Sequence, residues 1–276
     1  RSSSGCAQPA PQRRAADAQA PRGANRTARF LRQRLTRLSL GWLVRCLPIR
    51  VRVHGQLPGQ TALWLSNHVS WCDIPLLGAL QPLTFLSKAE VRAWPLAGWL
   101  AAQAGTLFIQ RGAGDSNDIG TQIGQQLQED RPLLLFPEGT TTDGQSLRSF
   151  HGRLLSGVIE QQRAVQPVAI RYWRDGAVDL QAAFIGDDDL LSHLRRLLSA
   201  PAAEVEIHLL PLLLPLPEEN RNQLARRAQH CVGDCLERLR APNAEPQASA
   251  LTPSTPNSTP PGWDCGLPGA VRSPKA

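Results

Sequence analysis

Between Ile49 and Pro217 the chain repeats one pattern: a short run of apolar, β-favouring residues, then a longer stretch with helical spacing, then another apolar run. A strand buries a face and a helix buries a stripe, so elements in alternation cover one another in layers. The pattern therefore predicts an α/β layered domain with a central mixed β-sheet flanked by helices. Predicted strands cover 50–54, 61–66, 82–86, 106–109, 132–136, 166–172, 177–184 and 204–210. Predicted helices cover 73–80, 94–103, 115–129, 151–162, 187–199 and 218–240. At 276 residues and 42% hydrophobic content the chain can bury a core of that size.

A basic amphipathic N-terminal helix precedes this domain. Leu31, Leu35, Leu38, Trp42 and Cys46 share one helical face, Arg26, Arg29, Arg34 and Arg37 take much of the rest, and Pro48 ends the run. It is too charged and too short to cross a bilayer, which needs roughly 20 apolar residues. Such a helix is expected to lie in the plane of a membrane interface, with arginines toward an anionic leaflet. The chain thus divides into a flexible arm (1–24), a membrane-interfacial helix (25–47), a layered domain (49–240) and a Pro/Ser/Thr-rich disordered tail (241–276).

The distribution of charge agrees with that division. The formal net charge is +7, yet residues 1–50 alone hold 11 Arg against Asp17, while residues 51–240 are net −3. A mildly acidic body with a basic arm argues for a membrane surface and against nucleic acid as partner; the arm also lacks interleaved aromatics. Six cysteines without paired spacing (Cys6, Cys46, Cys72, Cys231, Cys235, Cys265) predict neither a disulfide framework nor a metal site, and point to a reducing compartment.

Four segments at strand ends carry the chemistry, where open α/β sheets place their sites. The first is Ser66-Asn67-His68-Val69-Ser70-Trp71-Cys72-Asp73. Histidine titrates near neutrality, and an aspartate five residues on can fold back to hold one ring nitrogen, leaving the other to take a proton. The second, Gly105 to Arg111, is an apolar strand ending in an arginine suited to phosphate. The third runs Leu133-Leu134-Leu135-Phe136-Pro137-Glu138-Gly139-Thr140, a buried strand entering a polar turn, and the fourth is the proline-bearing strand Val165 to Ile170. Ser70 lacks the Gly-x-Ser-x-Gly elbow of a serine hydrolase and is assigned a supporting hydrogen bond.

In this order the four blocks resemble the glycerolipid acyltransferase family typified by bacterial 1-acyl-glycerol-3-phosphate acyltransferases, over about residues 49–215. The Asn-His-x4-Asp block is matched by Asn67, His68 and Asp73, the Gly-x-x-Phe-Ile-x-Arg block by Gly105, Phe108, Ile109 and Arg111, and the Phe-Pro-Glu-Gly-Thr block by Phe136 through Thr140. The resemblance implies transfer of a fatty acyl group from acyl-CoA or acyl carrier protein to a lysophospholipid hydroxyl, with no other cofactor. His68 is the expected general base and Asp73 its orienter. Arg111, Glu138, Gly139 and Thr140 are expected to hold the acceptor head, with Asn67, Ser70 and Lys88 in support. The location implied is the cytoplasmic face of the inner membrane, peripheral or monotopic. The first expected acceptor is 1-acyl-glycerol-3-phosphate, giving phosphatidic acid. One departure counts against it: many phosphatidic-acid-forming members follow the third block with arginine, whereas this chain has Thr141. Acylation of another lysolipid, such as lyso-ornithine lipid, is the alternative, followed by a thioesterase or lipase. A peripheral lipid-binding protein is the non-enzyme alternative.

Overall fold

The computed structural model describes residues 22–88, 107–109 and 116–240. Helix α1 (Arg22–Cys46) leads into β1 (Ile49–His54), β2 (Ala62–Ser66), α2 (Asp73–Leu80), β3 (Thr84–Lys88) and β4 (Leu107–Ile109). Then follow α3 (Ser116–Gln128), β5 (Leu133–Leu135), a 3-10 turn at Gly152–Leu155, α4 (Ser156–Glu160), β6 (Ala164–Arg174) and β7 (Ala177–Val178). The chain continues through α5 (Leu190–Ser199) and β8 (Ala203–Leu209) to α6 (Arg221–Arg240). The strands form one sheet of eight in the order β1-β8-β6-β2-β5-β3-β4, with β7 paired to β6. It is mixed, as expected: β6 runs antiparallel to β7 and β8, and the other pairings are parallel.

Strand periodicity sorts the core into two layers. Ala62 and Trp64 of β2 face a cluster with Leu40 and Leu47 near α1, Leu76 and Leu77 of α2, and Leu197 of α5. Leu63 and Leu65 face the other way, toward Ile123 and Leu127 of α3, Val158 of α4 and Leu224, Ala228 and Val232 of α6. Helices α1, α2 and α5 therefore cover one face of the sheet and α3, α4 and α6 the other. Because β2 is central and covered on both sides, all five of its residues are buried, which explains why it reads as an unbroken apolar run.

Helix α1 docks on the C-terminal part of α2, the end away from Asp73. Arg37 Nε donates to Ala79 O at 2.9 Å, and Leu40 packs against Gly78, where an added Cβ would lie 2.5 Å from Leu40 Cδ1 and 2.9 Å from Phe85 Cζ. Gly78→Val is expected to push both side chains aside and loosen α1, costing about 1–3 kcal/mol. Denaturant unfolding together with limited proteolysis within α1 checks this.

Several expectations need correction. The basic helix begins at Arg22, three residues inside the segment assigned to the flexible arm. The strand expected over 177–184 is two residues long, because Asp179 turns the chain: its carboxylate accepts Gln181 N at 3.0 Å and Arg174 Nη2 at 2.8 Å. The helix expected over 151–162 is a 3-10 turn followed by the five-residue α4. Close approach to α3 explains its irregular path, since an added Cβ on Gly157 would lie 2.0 Å from Gly120 O. The helix predicted over 94–103, residues 1–21 and the tail 241–276 lie outside the described residues.

Candidate active site

Where β2 ends, Asn67 continues its pairing with β6 by side chain. Its Nδ2 donates to Ile170 O at 2.9 Å and its Oδ1 accepts Ile170 N at 2.8 Å. The next residue, His68, thus leaves the sheet at a fixed point and angle. The turn after β5 then clasps it from the other side: Glu138 Oε1 accepts His68 N at 2.8 Å, and Thr142 N donates to His68 O at 2.8 Å. The Phe136 ring stacks on the imidazole with centroids 3.8 Å apart and planes 11° from parallel. Both backbone polar groups and one ring face of His68 are held before its chemistry begins.

His68 Nδ1 lies 2.8 Å from Asp73 Oδ2. A carboxylate only accepts, so the neutral ring carries its proton on Nδ1 and presents a lone pair at Nε2. Among the described residues Nε2 has no hydrogen-bond partner, and the side chain keeps 16% of its surface exposed. Asp73, fully buried at the first turn of α2, is satisfied by four donors: Val69 N at 2.8 Å, Ser70 N at 3.0 Å and His68 Nδ1 on Oδ2, and Tyr172 OH at 2.6 Å on Oδ1. Convergence of that many donors is what allows a charge to be buried without a cation beside it.

Tyr172 was not visible as a site residue in the sequence. It is the chain's one tyrosine, on β6, 99 residues from Asp73. The only local signal is its place two residues after the proline-bearing block, on the same strand. Complete burial and the Asp73 carboxylate push its phenol well above the ordinary range, so it remains a donor. Tyr172→Phe removes a charge-assisted hydrogen bond with little change in shape. We expect kcat/KM to fall about 10- to 100-fold, the equivalent of the ~1.5–3 kcal/mol such bonds contribute. Steady-state kinetics on a variant with unchanged circular dichroism checks it.

Glu138 has other partners than the acceptor head expected from the resemblance. It is buried, with one oxygen on His68 N and the other on Arg148 N at 2.8 Å. Burial pushes its carboxyl pKa up, and those two backbone donors pull against the shift. Gly139 adopts φ +74°, where a side chain would be strained, and closes the turn by donating to Phe136 O at 3.1 Å. Thr140 is exposed beside it. The backbone N–H of Ser70 is what reaches Asp73, at 3.0 Å. Arg111 and Gly105 lie outside the described residues, as does the side chain of Lys88.

A further histidine supports the loop carrying His68 from α5. Trp71 Nε1 donates to His193 Nδ1 at 3.0 Å, which places the ring's own proton on Nε2, 3.2 Å from Ala182 O and 3.1 Å from Ala183 O. Burial, reinforced by Arg196, lowers the His193 pKa and keeps it neutral for this role. Phe184 N also donates to Val69 O at 2.9 Å, and Thr141 Oγ1 donates to Phe184 O. Burial pushes the neighbouring Cys72 thiol up to about 12, so it is not a nucleophile near neutral pH.

A buried carboxylate that orients a partly exposed histidine can activate a hydroxyl. Residues 50–171 match the family model described as Acyltransferase. The chain is 59% identical over 221 residues to the lyso-ornithine lipid O-acyltransferase of Pseudomonas aeruginosa, covering 79% of this chain and 84% of that protein. It is 28% identical over 168 residues to the 1-acyl-sn-glycerol-3-phosphate acyltransferase of Neisseria gonorrhoeae, covering 60% and 66% respectively. The crystal structure of the 1-acyl-sn-glycerophosphate acyltransferase from Thermotoga maritima shares the fold, with a TM-score of 0.58 at 19% identity over 83% of this chain and 86% of that one. On the family match and the extent of identity to the Pseudomonas protein, this chain belongs to the acyltransferase family.

Proposed function

We propose that the protein is a lysolipid O-acyltransferase that moves a fatty acyl group from acyl-CoA or acyl carrier protein to the free hydroxyl of lyso-ornithine lipid. The geometry supporting the chemistry is the 2.8 Å Nδ1 to Oδ2 contact that leaves Nε2 of His68 open. Nε2 removes the proton from the acceptor hydroxyl as its oxygen attacks the thioester carbonyl. The tetrahedral intermediate then expels the thiolate, which takes the proton back from the imidazolium. The substrate's hydroxyl occupies the place a serine holds in a catalytic triad, so no acyl-enzyme forms. Asp73 keeps the ring in the required tautomer and faces the positive charge while it lasts. Arg111 and Thr140 are proposed contacts of the acceptor head. Glu138 is assigned instead to fixing the His68 backbone, since both of its oxygens are occupied.

The choice of acceptor replaces the one expected first from the sequence. The extensive identity to a lyso-ornithine lipid enzyme supports it, and Thr141 stands where many phosphate-lipid enzymes have arginine. The Thr141 hydroxyl is turned to Phe184 O, so this position supplies a loop contact and no cation. Purified protein given one acyl thioester and either lyso-ornithine lipid or 1-acylglycerol-3-phosphate should show kcat/KM at least about tenfold higher for the former. Faster formation of phosphatidic acid would overturn the choice.

Access to a lipid acceptor is assigned to α1. Its Leu31, Leu35, Leu38 and Trp42 are exposed on the side opposite the docked Leu40 and Val44, with Arg34 and Arg45 flanking them. None of the helices among the described residues is long and apolar enough to cross a membrane. We propose that α1 lies in the interface of the cytoplasmic leaflet, its leucines and Trp42 among the acyl chains.

A further inference from the structure

From Phe136 to His151, the segment that clasps His68, the chain holds one arginine and no lysine, and that arginine is Arg148. The second half of this segment runs beside α6 and encloses a groove with it, where Gln229 Oε1 accepts Phe150 N at 3.0 Å. Every residue from Gly144 to Gly152 lines that groove except Arg148, which is exposed. Its side chain therefore leaves the loop away from α6. The backbone shows what lies on that side: Arg148 N donates to Glu138 Oε2 at 2.8 Å, and Glu138 Oε1 accepts His68 N at 2.8 Å. A single buried carboxylate spans the two residues, so Arg148 is rooted beside the catalytic turn.

An exposed arginine is ordinarily a solvated charge. Arg148 departs from that in two respects. Among the described residues no carboxylate pairs with it, whereas Arg174 and Arg196 are held by Asp179 at 2.8 Å and Asp188 at 2.7 Å. The loop that carries it is also fixed at both ends. Thr142 N donates to His68 O at 2.8 Å, Gln145 N to Asp143 Oδ1 at 2.9 Å, and His151 N to Pro137 O at 3.0 Å. The main chain of Arg148 thus has one place relative to the imidazole, and only its side chain is free to swing.

We propose that Arg148 is a specificity-determining residue that receives the anionic group of the acceptor head. In the reading given above, on which this assignment rests, that group is the ornithine carboxylate. An N-acylated ornithine keeps its carboxylate, and the hydroxyl to be acylated sits on its acyl chain a few bonds away across the amide. With the hydroxyl at Nε2 of His68, the carboxylate falls within the arm of an arginine rooted at Glu138. A guanidinium meets a carboxylate through two parallel hydrogen bonds, so the contact sets orientation as well as affinity. The cation absent at position 141 is supplied instead from position 148.

The test uses the full chain in non-ionic detergent micelles, where no charged surface competes for the arginine. One acyl thioester is offered with lyso-ornithine lipid or with its carboxamide, which keeps the shape of the head and removes the negative charge. Wild type should favour the acid by about tenfold in kcat/KM, mostly through KM. In Arg148→Gln the ratio should fall to near one, and Arg148→Lys should restore part of it. Glutamine keeps the backbone N–H that Glu138 accepts, so thermal unfolding should match wild type. A ratio that stays near tenfold in Arg148→Gln, whatever happens to the rates themselves, overturns the proposal, as does a wild type without preference. Failure of the acceptor reading has a different signature: wild type acylates 1-acylglycerol-3-phosphate and leaves lyso-ornithine lipid untouched. In that event, a KM for the phosphate lipid raised about tenfold by Arg148→Gln and partly restored by Arg148→Lys sustains the contact, with phosphate in the place of carboxylate. An unchanged KM removes it.

Discussion

His68→Ala is expected to lower acyl transfer by about 10²- to 10⁴-fold, the contribution typical of a positioned base acting on a weak nucleophile. The fold should survive. The two fixings of residue 68 to the turn after β5 are made by its backbone N–H and C=O, and alanine keeps both. What disappears is the ring: its lone pair at Nε2, its stack on Phe136 and its hydrogen bond to Asp73. Asp73 retains three donors in the variant, Val69 N, Ser70 N and Tyr172 OH, so its charge is not stranded. The account therefore separates a large kinetic loss from a small loss of stability. Steady-state kinetics paired with thermal unfolding measures the separation. A variant that unfolds under assay conditions, or one that keeps full activity, would refute it.

Asp73→Asn is expected to do the reverse in part, costing both activity and stability. Four donors point at this carboxylate, and two oxygens accept them. An asparagine has one accepting oxygen. If that oxygen faces Val69 N and Ser70 N, the Tyr172 hydroxyl accepts from the amide and its own proton loses its acceptor; if it faces Tyr172, two buried backbone N–H groups oppose another donor. The site is fully buried, so water cannot repair the mismatch. About 3 kcal/mol or more of stability should be lost, on the scale of a buried charged group deprived of its partner. With the oxygen turned to Tyr172 the imidazole also loses the acceptor that fixes its tautomer, because His68 Nδ1 shares Oδ2 with Val69 N and Ser70 N, and about 10³- to 10⁴-fold in rate should go with it, as when a triad carboxylate is replaced. Denaturant unfolding and kinetics on the same preparation check both effects.

How much of this was legible in the sequence depended on the span of each interaction. His68 and Asp73 are five residues apart, and their pairing could be read because it is made within one turn between a strand and a helix. The sheet was legible for a similar reason, since the alternation of apolar runs records which strands are covered on both faces. Tyr172 was not, because its contact with Asp73 depends on β6 lying beside β2, which no local pattern encodes. Glu138 was read as a charge in a turn and assigned to substrate; only the fold shows both oxygens occupied by backbone donors. The α5 sequence Leu190-Leu191-Ser192-His193-Leu194-Arg195-Arg196-Leu197-Leu198 gathers its leucines into one broad stripe, of which Leu197 is buried and Leu191 and Leu198 are exposed. Helical spacing alone could not say which leucines face the core. Strand β7 fell short of expectation because one side chain, Asp179, ends it with hydrogen bonds whose geometry a propensity pattern does not register.

The central claim is that Nε2 of His68 activates a lipid hydroxyl, as opposed to water, for attack on a thioester. The most direct measurement follows free thiol release from an acyl thioester by the purified full chain, with and without lyso-ornithine lipid in the same vesicles, while mass spectrometry identifies the acylated lipid. The account predicts thiol release that requires the lysolipid, matches the acylated product mole for mole, and is lost in His68→Ala. Thiol release at an equal rate without an acceptor, with free fatty acid as the product, would contradict it and make the protein a thioesterase.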